Sequence, residues 1–281
     1  MELEAETDYR KLDYFLKSKG ISRRIITKLK FQEGLLINGI PSTTIHPVAK
    51  GDKITLRFLQ EDTLSCKPQK GPLSILYEDA DLLAVNKPPK MATHPALGTK
   101  ENTLGNYISQ YYMDNDSPMP FRPVSRLDKE TGGVIIVAKH SFAHSVLSEQ
   151  MQTNLFQKKY LALTEGVFQK DSGEIIHPIA RESEQSLRRV CREDGKYAHT
   201  IYRVLTHNET TSLVELELKT GRTHQIRVHL NAIGHPIIGD PLYGTVTGDR
   251  LYLHSYQTIF RHPITGERIT ITAPCDFETL L

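Results

Sequence analysis

Two short stretches of the 281-residue chain concentrate the residue types that catalytic sites use. The first, RLDKETGG at 126–133, lies between a proline-rich loop and the apolar run 134–138. Its Asp128 is well placed for catalysis, because a rigid strand holds in position what a neighbouring loop exposes. Asp and Gly-Gly are also common in ordinary turns, so the residues alone leave a catalytic and a structural interpretation open.

The second stretch, 220–229, reads TGRTHQIRVH. A strand here would place His224 and Ile226 on one face, and Arg227 and His229 on the other. So many polar groups are costly to bury unless they pair with one another or meet a polar ligand. The alternative is an exposed edge strand with no role in chemistry.

Several common chemistries are excluded by what the sequence lacks. It has no phosphate-binding glycine motif, no dinucleotide fingerprint and no Gly-x-Ser-x-Gly elbow, so no nucleotide cofactor is predicted. The twelve histidines include no His-Glu-x-x-His, and His224 and His229 lack a third spaced ligand, so no metal is predicted. Cys66, Cys191 and Cys275 are few and far apart, which argues against disulfides and favours the cytosol.

Composition and charge narrow the class of protein further. A chain that is 38% hydrophobic and 24% charged is typical of a globular protein with one large or two modest domains. No apolar run has the length of a membrane span, and the acidic N-terminus lacks the apolar segment of a secretory signal. The net charge of +2 is weak support for a nucleic-acid partner. No exposed apolar stripe stands out, so a monomer is expected.

The elements that must position the two stretches divide into two units. Helical patterns at 12–16 and from Ser22, a suitable cap, precede a strand, a turn at Asn38-Gly39 and further strands. The second helix carries a basic set that favours nucleic-acid binding, although a solvated helix face is the alternative: Arg23, Arg24, Lys28 and Lys30. A small α/β module is therefore predicted at 10–60, followed by a polar linker at 61–73.

The remainder, 74–281, is predicted to be an α+β catalytic domain with a large mixed, mainly antiparallel sheet flanked by helices. Helices are expected at 102–113 and 141–156. Strands are expected at 75–78, 82–86, 134–138, from Tyr160, and at 199–206, 212–219, 225–230 and 269–272.

The motif Arg126-Leu127-Asp128-x-x-Thr131-x-Gly133 resembles the catalytic motif of the RluA-type pseudouridine synthases. Four further stretches agree with that family, in its order: 78–88, 159–163, 221–229 and 234–244, followed by 253–254 and 262–263. The N-terminal unit resembles the S-four RNA-binding module, through its basic second helix and Asn38-Gly39. Two residues depart from the family pattern, Ser125 where His is frequent and Gly132 where Ser is usual, and they put subgroup and substrate in question.

The resemblance implies that the chain isomerises uridine in structured RNA to pseudouridine with no cofactor. Asp128 would be the catalytic carboxylate, adding to ribose C1′ or taking a proton from C2′. Arg227 would orient it and Tyr160 would stack on the uracil. The substrate-binding set implied by the resemblance is Arg126, Leu127, Thr131, His224 and Ile226.

Two other functions stay open at this stage. A non-enzymatic RNA-binding protein could keep the same fold, although the intact set of Arg126, Asp128, Tyr160 and Arg227 argues against it. A hydrolase of free nucleosides would have no use for the basic second helix. The partner is expected to be RNA, with ribosomal RNA favoured and transfer RNA possible.

Overall fold

The computed structural model describes residues 1–21, 23–58, 63–96 and 98–277, and of Arg24 the backbone alone. Ser22, expected to cap the second helix, lies outside these residues. Within them, no helix is both long and apolar enough to pass through a bilayer.

The N-terminal unit is a four-stranded antiparallel sheet with two helices. Its elements are β1 (Glu2–Glu4), α1 (Leu12–Ser18), α2 (Arg23–Phe31), β2 (Leu35–Ile37), β3 (Ile40–Pro41) and β4 (Lys53–Leu56), with strand order β1-β4-β2-β3. Asn38 and Gly39 both have positive φ, at 51° and 81°, as the predicted tight turn between β2 and β3 requires. Because β1 pairs with β4, the sheet begins ahead of the boundary at residue 10 that composition suggested.

The small unit packs directly on the larger one. Phe142, at the start of α4 (Ser141–Gln150), is buried within the core of the N-terminal unit. Its ring stacks on Phe58 at 5.6 Å between centroids, and His140 stacks on the same ring at 5.8 Å. The described part of the expected linker also lies against the fold, since Lys67 O accepts a hydrogen bond from Asn106 Nδ2 at 2.8 Å.

The large unit is built on a nine-stranded sheet with the order β5-β6-β7-β14-β8-β13-β12-β9, in which β15 also pairs with β14. Among the strand pairs that the structure describes, the β7–β14 pair alone is parallel, so the predicted mixed, mainly antiparallel sheet is confirmed. The strands are β5 (Ser74–Glu78), β6 (Leu82–Lys87), β7 (Gly132–Ala138), β8 (Gln157–Glu165), β9 (Ser172–Ile176), β12 (His199–His207), β13 (Thr211–Leu218), β14 (Leu253–Arg261) and β15 (Arg268–Thr272). A separate hairpin joins β10 (Ile179–Arg181) to β11 (Arg189–Cys191).

Helices flank this sheet, as expected: α3 (Leu104–Asp114), α4 and α5 (Gln225–Ala232). Thr103 caps α3 in a capping box with Asn106. The helix predicted at 141–156 ends at Gln150, and turns occupy the residues up to β8.

The prediction of a strand at 225–230 is wrong, because these residues belong to the helix α5. Ile226, Leu230 and Ile233 lie four and three residues apart and all pack on the main core, which is helical periodicity. Over so short a run, apolar residues at every second position fit a strand equally well. The two faces assigned from strand alternation are therefore wrong as well.

Candidate active site

The predicted site residues lie around one cavity of about 730 Å³, open to solvent on one side. The loop 123–131, strand β8 and the segment 221–227 form its walls. All eight residues proposed for catalysis or substrate binding line it: Arg126, Leu127, Asp128, Thr131, Tyr160, His224, Ile226 and Arg227. Since 99 residues of chain separate Asp128 from Arg227, their proximity is a result of the fold.

Asp128 sits in a turn that leads into β7, where its backbone O accepts a hydrogen bond from Thr131 N at 3.1 Å. Its side chain is about a third exposed (35%), so a substrate can reach the carboxylate. Next to it, Leu127 is buried, and its O accepts from Thr93 Oγ1 at 3.0 Å. The loop is therefore anchored on both sides of the exposed carboxylate.

A buried lysine, Lys87, contacts the loop 123–131 on the side away from solvent. Lys87, with no exposed surface, directs its Nζ to three carbonyl oxygens, those of Pro88 (2.9 Å), Met91 (2.8 Å) and Lys129 (3.3 Å). Burial lowers the pKa of Lys87 to about 7, against the opposing influence of the Glu130 and Asp128 carboxylates. No role for Lys87 was predicted from the sequence, although a lysine at the end of a mostly apolar strand was a signal for one.

Arg227 is almost fully buried and is held by Asp240 rather than by Asp128. Its Nε and Nη2 donate to the two Asp240 carboxylate oxygens, each at 2.7 Å. Its Nη1 lies 3.7 Å from Asp128 Oδ2, which is an ion-pair distance but longer than a hydrogen bond. Burial disfavours the guanidinium charge, but the hydrogen bonds and charge of Asp240 outweigh it and raise the pKa of Arg227.

Asp240 is a second residue near this site whose role was not predicted from the sequence. Its side chain has no exposed surface, and its Oδ1 also accepts from the backbone N of Leu242 (2.9 Å) and of Tyr243 (3.2 Å). The stretch 234–244 carries part of the family resemblance, yet nothing in its composition indicates that the carboxylate faces Arg227.

His224 occupies the position just before α5, in the left-handed conformation with φ of 57°. Its Nδ1 is 3.0 Å from the Tyr243 hydroxyl and its Nε2 is 3.9 Å from Asp128 Oδ2. Burial, and then the charges of Arg227 and Arg189, lower the pKa of His224. The ring is therefore neutral near pH 7.

Tyr160 and Ile226 form an apolar part of the wall, each only 4% exposed. Burial and the nearby Asp128 carboxylate raise the pKa of Tyr160, so the phenol keeps its proton at neutral pH. Thr131 is also buried, whereas Arg126 extends into solvent at the rim. An apolar wall of this kind suits the flat face of a nucleobase. The guanidinium of Arg126 lies outside the wall, at the rim of the cavity.

The basic helix α2 lies on the N-terminal unit. Arg23 and Lys30 are exposed, and Lys28 approaches Ser141 Oγ at 3.5 Å, where the two units meet. The side chain of Arg24 lies outside the described residues. The set proposed for RNA binding is thus divided between solvent and the contact between the units.

One cluster elsewhere has the residue types of a metal site. Asp79, Asp81 and His262 bring their polar atoms within 4.8 Å of one another. His262 Nδ1 accepts from the backbone N of Ile264 and Thr265, so its Nε2 carries the hydrogen and donates to Asp79 Oδ2 at 3.0 Å. This tautomer directs an N–H bond, not a lone pair, at the carboxylates, so the donor set does not fit a cation.

His229, the other histidine of the second stretch, has a structural role. It is fully buried on α5, with Nδ1 2.9 Å from Thr200 Oγ1 and Nε2 3.0 Å from the His177 carbonyl oxygen. Both ring nitrogens are therefore engaged by the fold.

The chain is similar to known RNA-modifying enzymes over most of its length. The family model described as RNA pseudouridylate synthase matches residues 81–232. The uncharacterized RNA pseudouridine synthase YhcT of Bacillus subtilis is 41% identical over 231 residues, which cover 81% of this chain and 76% of the relative. The ribosomal large subunit pseudouridine synthase D of Zymomonas mobilis is 38% identical over 233 residues, covering 76% of this chain and 73% of the relative.

A solved structure agrees with this. Human RNA pseudouridylate synthase domain containing 1 superimposes with a TM-score of 0.60 at 30% identity, over 74% of this chain and 87% of the human one. The matched segment contains Asp128, Tyr160 and Arg227, which meet in the cavity. The chain therefore belongs to the RNA pseudouridylate synthase family, whose members isomerise uridine in RNA to pseudouridine.

Proposed function

We propose that this enzyme modifies uridines of large-subunit ribosomal RNA, with Asp128 as the catalytic carboxylate and with no cofactor. The observation that carries the proposal is the placement of an accessible carboxylate 3.7 Å from a buried arginine, which a second carboxylate holds in place. A fixed cation beside a reactive anion stabilises its charge and its orientation without a further reorganisation step.

The reaction breaks the bond between uracil N1 and ribose C1′ and makes a new bond between C5 and C1′. Asp128 starts it by adding to C1′ or by removing a proton from C2′, and the electron pair of the broken bond stays on the uracil. The base then turns and C5 bonds to C1′, while the Asp128–C1′ bond breaks or, on the other route, C2′ takes back its proton. The proton on C5 then leaves and N1 takes up a proton, so Asp128 is regenerated and the product is an isomer of the substrate. Because atoms are only rearranged, the reaction needs neither an oxidant nor a group donor.

Tyr160 and Ile226 would hold the uracil during this rearrangement. An aromatic wall retains a base by stacking while still allowing it to rotate in its own plane. The raised pKa of Tyr160 makes its phenol a proton donor or a neutral hydrogen-bonding group rather than a base at neutral pH. Leu127, His224 and Thr131 complete the wall around the nucleotide.

The target uridine must leave its stack to reach Asp128, at a cost of roughly a few kcal/mol. Arg126, exposed at the rim, is placed to contact a phosphate or to fill the gap that the nucleotide leaves. Arg23 and Lys30 on α2, with Lys28 and Arg24, would bind the RNA backbone farther away. The N-terminal unit would then act as an S-four-like RNA-binding module.

The choice of ribosomal RNA is supported by the relative from Zymomonas mobilis, whose name specifies the large ribosomal subunit. Transfer RNA is the second candidate. An RNA substrate and the small number of cysteines both favour a cytoplasmic location for the enzyme. We further propose that it acts as a monomer, because no exposed apolar stripe stands out in its sequence.

The test is release of tritium from RNA that carries C5-tritiated uridine. Unmodified ribosomal and transfer RNA would be supplied separately to the wild type and to Asp128→Asn, which keeps the size of the side chain. We expect release from ribosomal RNA that is lost in the variant. Full release by Asp128→Asn would refute the role of Asp128, and release from transfer RNA alone would refute the proposed substrate.

A further inference from the structure

Tyr243 lies behind the cavity and connects several of its charged groups. Its ring is 5% exposed and is flanked by the guanidinium groups of Arg227 (5.1 Å from the ring centre) and Arg188 (5.5 Å). Its hydroxyl accepts a hydrogen bond from the backbone N of Arg189 at 2.8 Å. The hydroxyl hydrogen is therefore free to be donated elsewhere.

The acceptor for that hydrogen is His224 Nδ1, at 3.0 Å. A neutral imidazole has one N–H and one lone pair, so a ring that accepts at Nδ1 carries its hydrogen on Nε2. The opposite tautomer would leave the Tyr243 hydroxyl hydrogen without an acceptor among the residues that the structure describes. The geometry thus assigns the Nε2–H form to His224.

The Nε2–H of His224 faces Asp128. Its nitrogen lies 3.9 Å from Asp128 Oδ2, and Arg227 Nη1 lies 3.7 Å from the same oxygen. Asp128 Oδ1 has no hydrogen-bond partner within the described part of the chain. Two donors therefore converge on one carboxylate oxygen of a side chain that lines the cavity and is about a third exposed.

We propose that Tyr243 is a positioning residue that fixes the tautomer of His224, so that His224 and Arg227 together hold Oδ2 of Asp128 and present Oδ1 to the ribose. The inference rests on the proposed role of Asp128. Rotation of the partly exposed Asp128 side chain shortens both contacts when substrate fills the cavity, as apo sites commonly tighten on binding. Burial keeps the ring of His224 neutral, although four charged residues surround it: Asp128, Arg227, Arg189 and Asp240.

The backbone at His224 allows the proposal to be separated from a purely structural role. Its φ of 57° lies in the left-handed region, which Asn tolerates far better than Gln does. Gln, however, carries its amide N–H near the position of Nε2, whereas the amide of Asn reaches only the position of Nδ1. A structural role therefore favours His224→Asn, and the proposed role favours His224→Gln.

The experiment compares these two variants with Tyr243→Phe, which keeps the ring and removes only the hydroxyl. Single-turnover rates and RNA dissociation constants would be measured with ribosomal RNA. The His224 tautomer would be determined by 15N NMR of the ring nitrogens. The His224 signals are assigned as those that disappear in His224→Gln. We expect the Nε2–H form in the wild type and a mixture in Tyr243→Phe. The rate of Tyr243→Phe should fall about fivefold, the effect of one ordinary hydrogen bond, at unchanged RNA affinity.

We expect His224→Gln to react at least tenfold faster than His224→Asn. An Nδ1–H tautomer in the wild type, or a faster His224→Asn, would overturn the inference. If these variants match the wild type while Asp128→Asn is inactive, the inference fails and the proposed function stands. If Asp128→Asn is itself active, the proposed function fails first.

Discussion

Arg227 contacts two aspartates in different ways, and the difference assigns them different roles. Asp240 takes two hydrogen bonds of 2.7 Å and is fully buried with the arginine, whereas Asp128 lies at 3.7 Å and is partly exposed. Asp240 is thus the anchor that sets the plane of the guanidinium. Asp128, the proposed catalytic carboxylate, is not held by hydrogen bonds in this way and is exposed enough to approach a substrate.

Removing the charge of Asp240 should damage both the fold and the reaction. Breaking a buried ion pair leaves its partner uncompensated, and Asp240→Asn is therefore expected to lower the free energy of unfolding by about 3 kcal/mol. Urea denaturation would measure it, alongside the tritium-release rate.

Asp276→Asn provides the matched control. Asp276 also pairs with an arginine, Arg250, but its side chain is 68% exposed, so the expected change is below about 1 kcal/mol. Equal destabilisation by the two substitutions would contradict the anchoring role of Asp240.

Lys87 should be required for the position of the loop 123–131, which carries Asp128. Lys87→Met keeps the length of the side chain and leaves three carbonyl oxygens without their donor, so a loss of about 2–3 kcal/mol in stability is expected. Since one of these oxygens belongs to Lys129, the rate should fall even where the variant is fully folded. The exposed Lys90, changed to Met, should alter neither quantity, and a normal rate in folded Lys87→Met would refute the link to the loop.

Stability should depend on pH through His254. Burial lowers its pKa to about 4, whereas an unfolded chain has the ordinary value of about 6.5. Between these two values the unfolded state binds more protons, so the free energy of unfolding falls as the pH is lowered from about 6.5 to 4. The loss amounts to roughly 3–4 kcal/mol at most.

Denaturation of the wild type and of His254→Gln at pH 7, 5.5 and 4.5 would test this. The slope of stability against pH should be smaller in the variant over this range. Parallel pH dependences would show that another group is responsible.

The N-terminal helix should contribute to RNA affinity through charge alone. Replacing the exposed Arg23 and Lys30 by Ala is expected to weaken binding and to reduce the slope of log K against log salt by about 0.7–0.9 for each lost phosphate contact. Filter binding at several salt concentrations would measure it. The control replaces Lys50 and Lys53 by Ala. Both are exposed on the same unit, and their replacement removes the same amount of charge. Equal losses in both double variants would point to overall charge rather than to α2.

The sequence was sufficient to predict the mixed sheet and the residues of the cavity wall, but the secondary structure around Arg227 was predicted wrongly. A run of eight residues with apolar side chains at Ile226, Val228 and Leu230 fits both a strand and a helix. The helix is distinguished from a strand by where these side chains are buried. Val228 packs in a cluster with Tyr243, whereas Leu230 packs in the main core. That information lies in the tertiary structure, not in the local pattern.

Lys87, Asp240 and Tyr243 show a second limit. Each acts through a contact with a distant segment, such as the 42 residues that separate Lys87 from Lys129. Aspartate and tyrosine are unremarkable in surface turns, so their types gave no signal. Asp128 was predicted to be catalytic because its motif resembles that of a family, whereas the groups that surround it could be recognised only from distances in the structure.

The parallel pairing of β7 with β14 also bears on how the proposed site folds. β7 follows the loop that carries Asp128, and one of its two neighbours is β14, whose His254 aligns with Gly132 of β7. A contact between segments so far apart in sequence closes a long loop of chain, which costs more conformational entropy than a local contact. The support beneath Asp128 is therefore expected to form in a slow, long-range step of folding rather than through local structure.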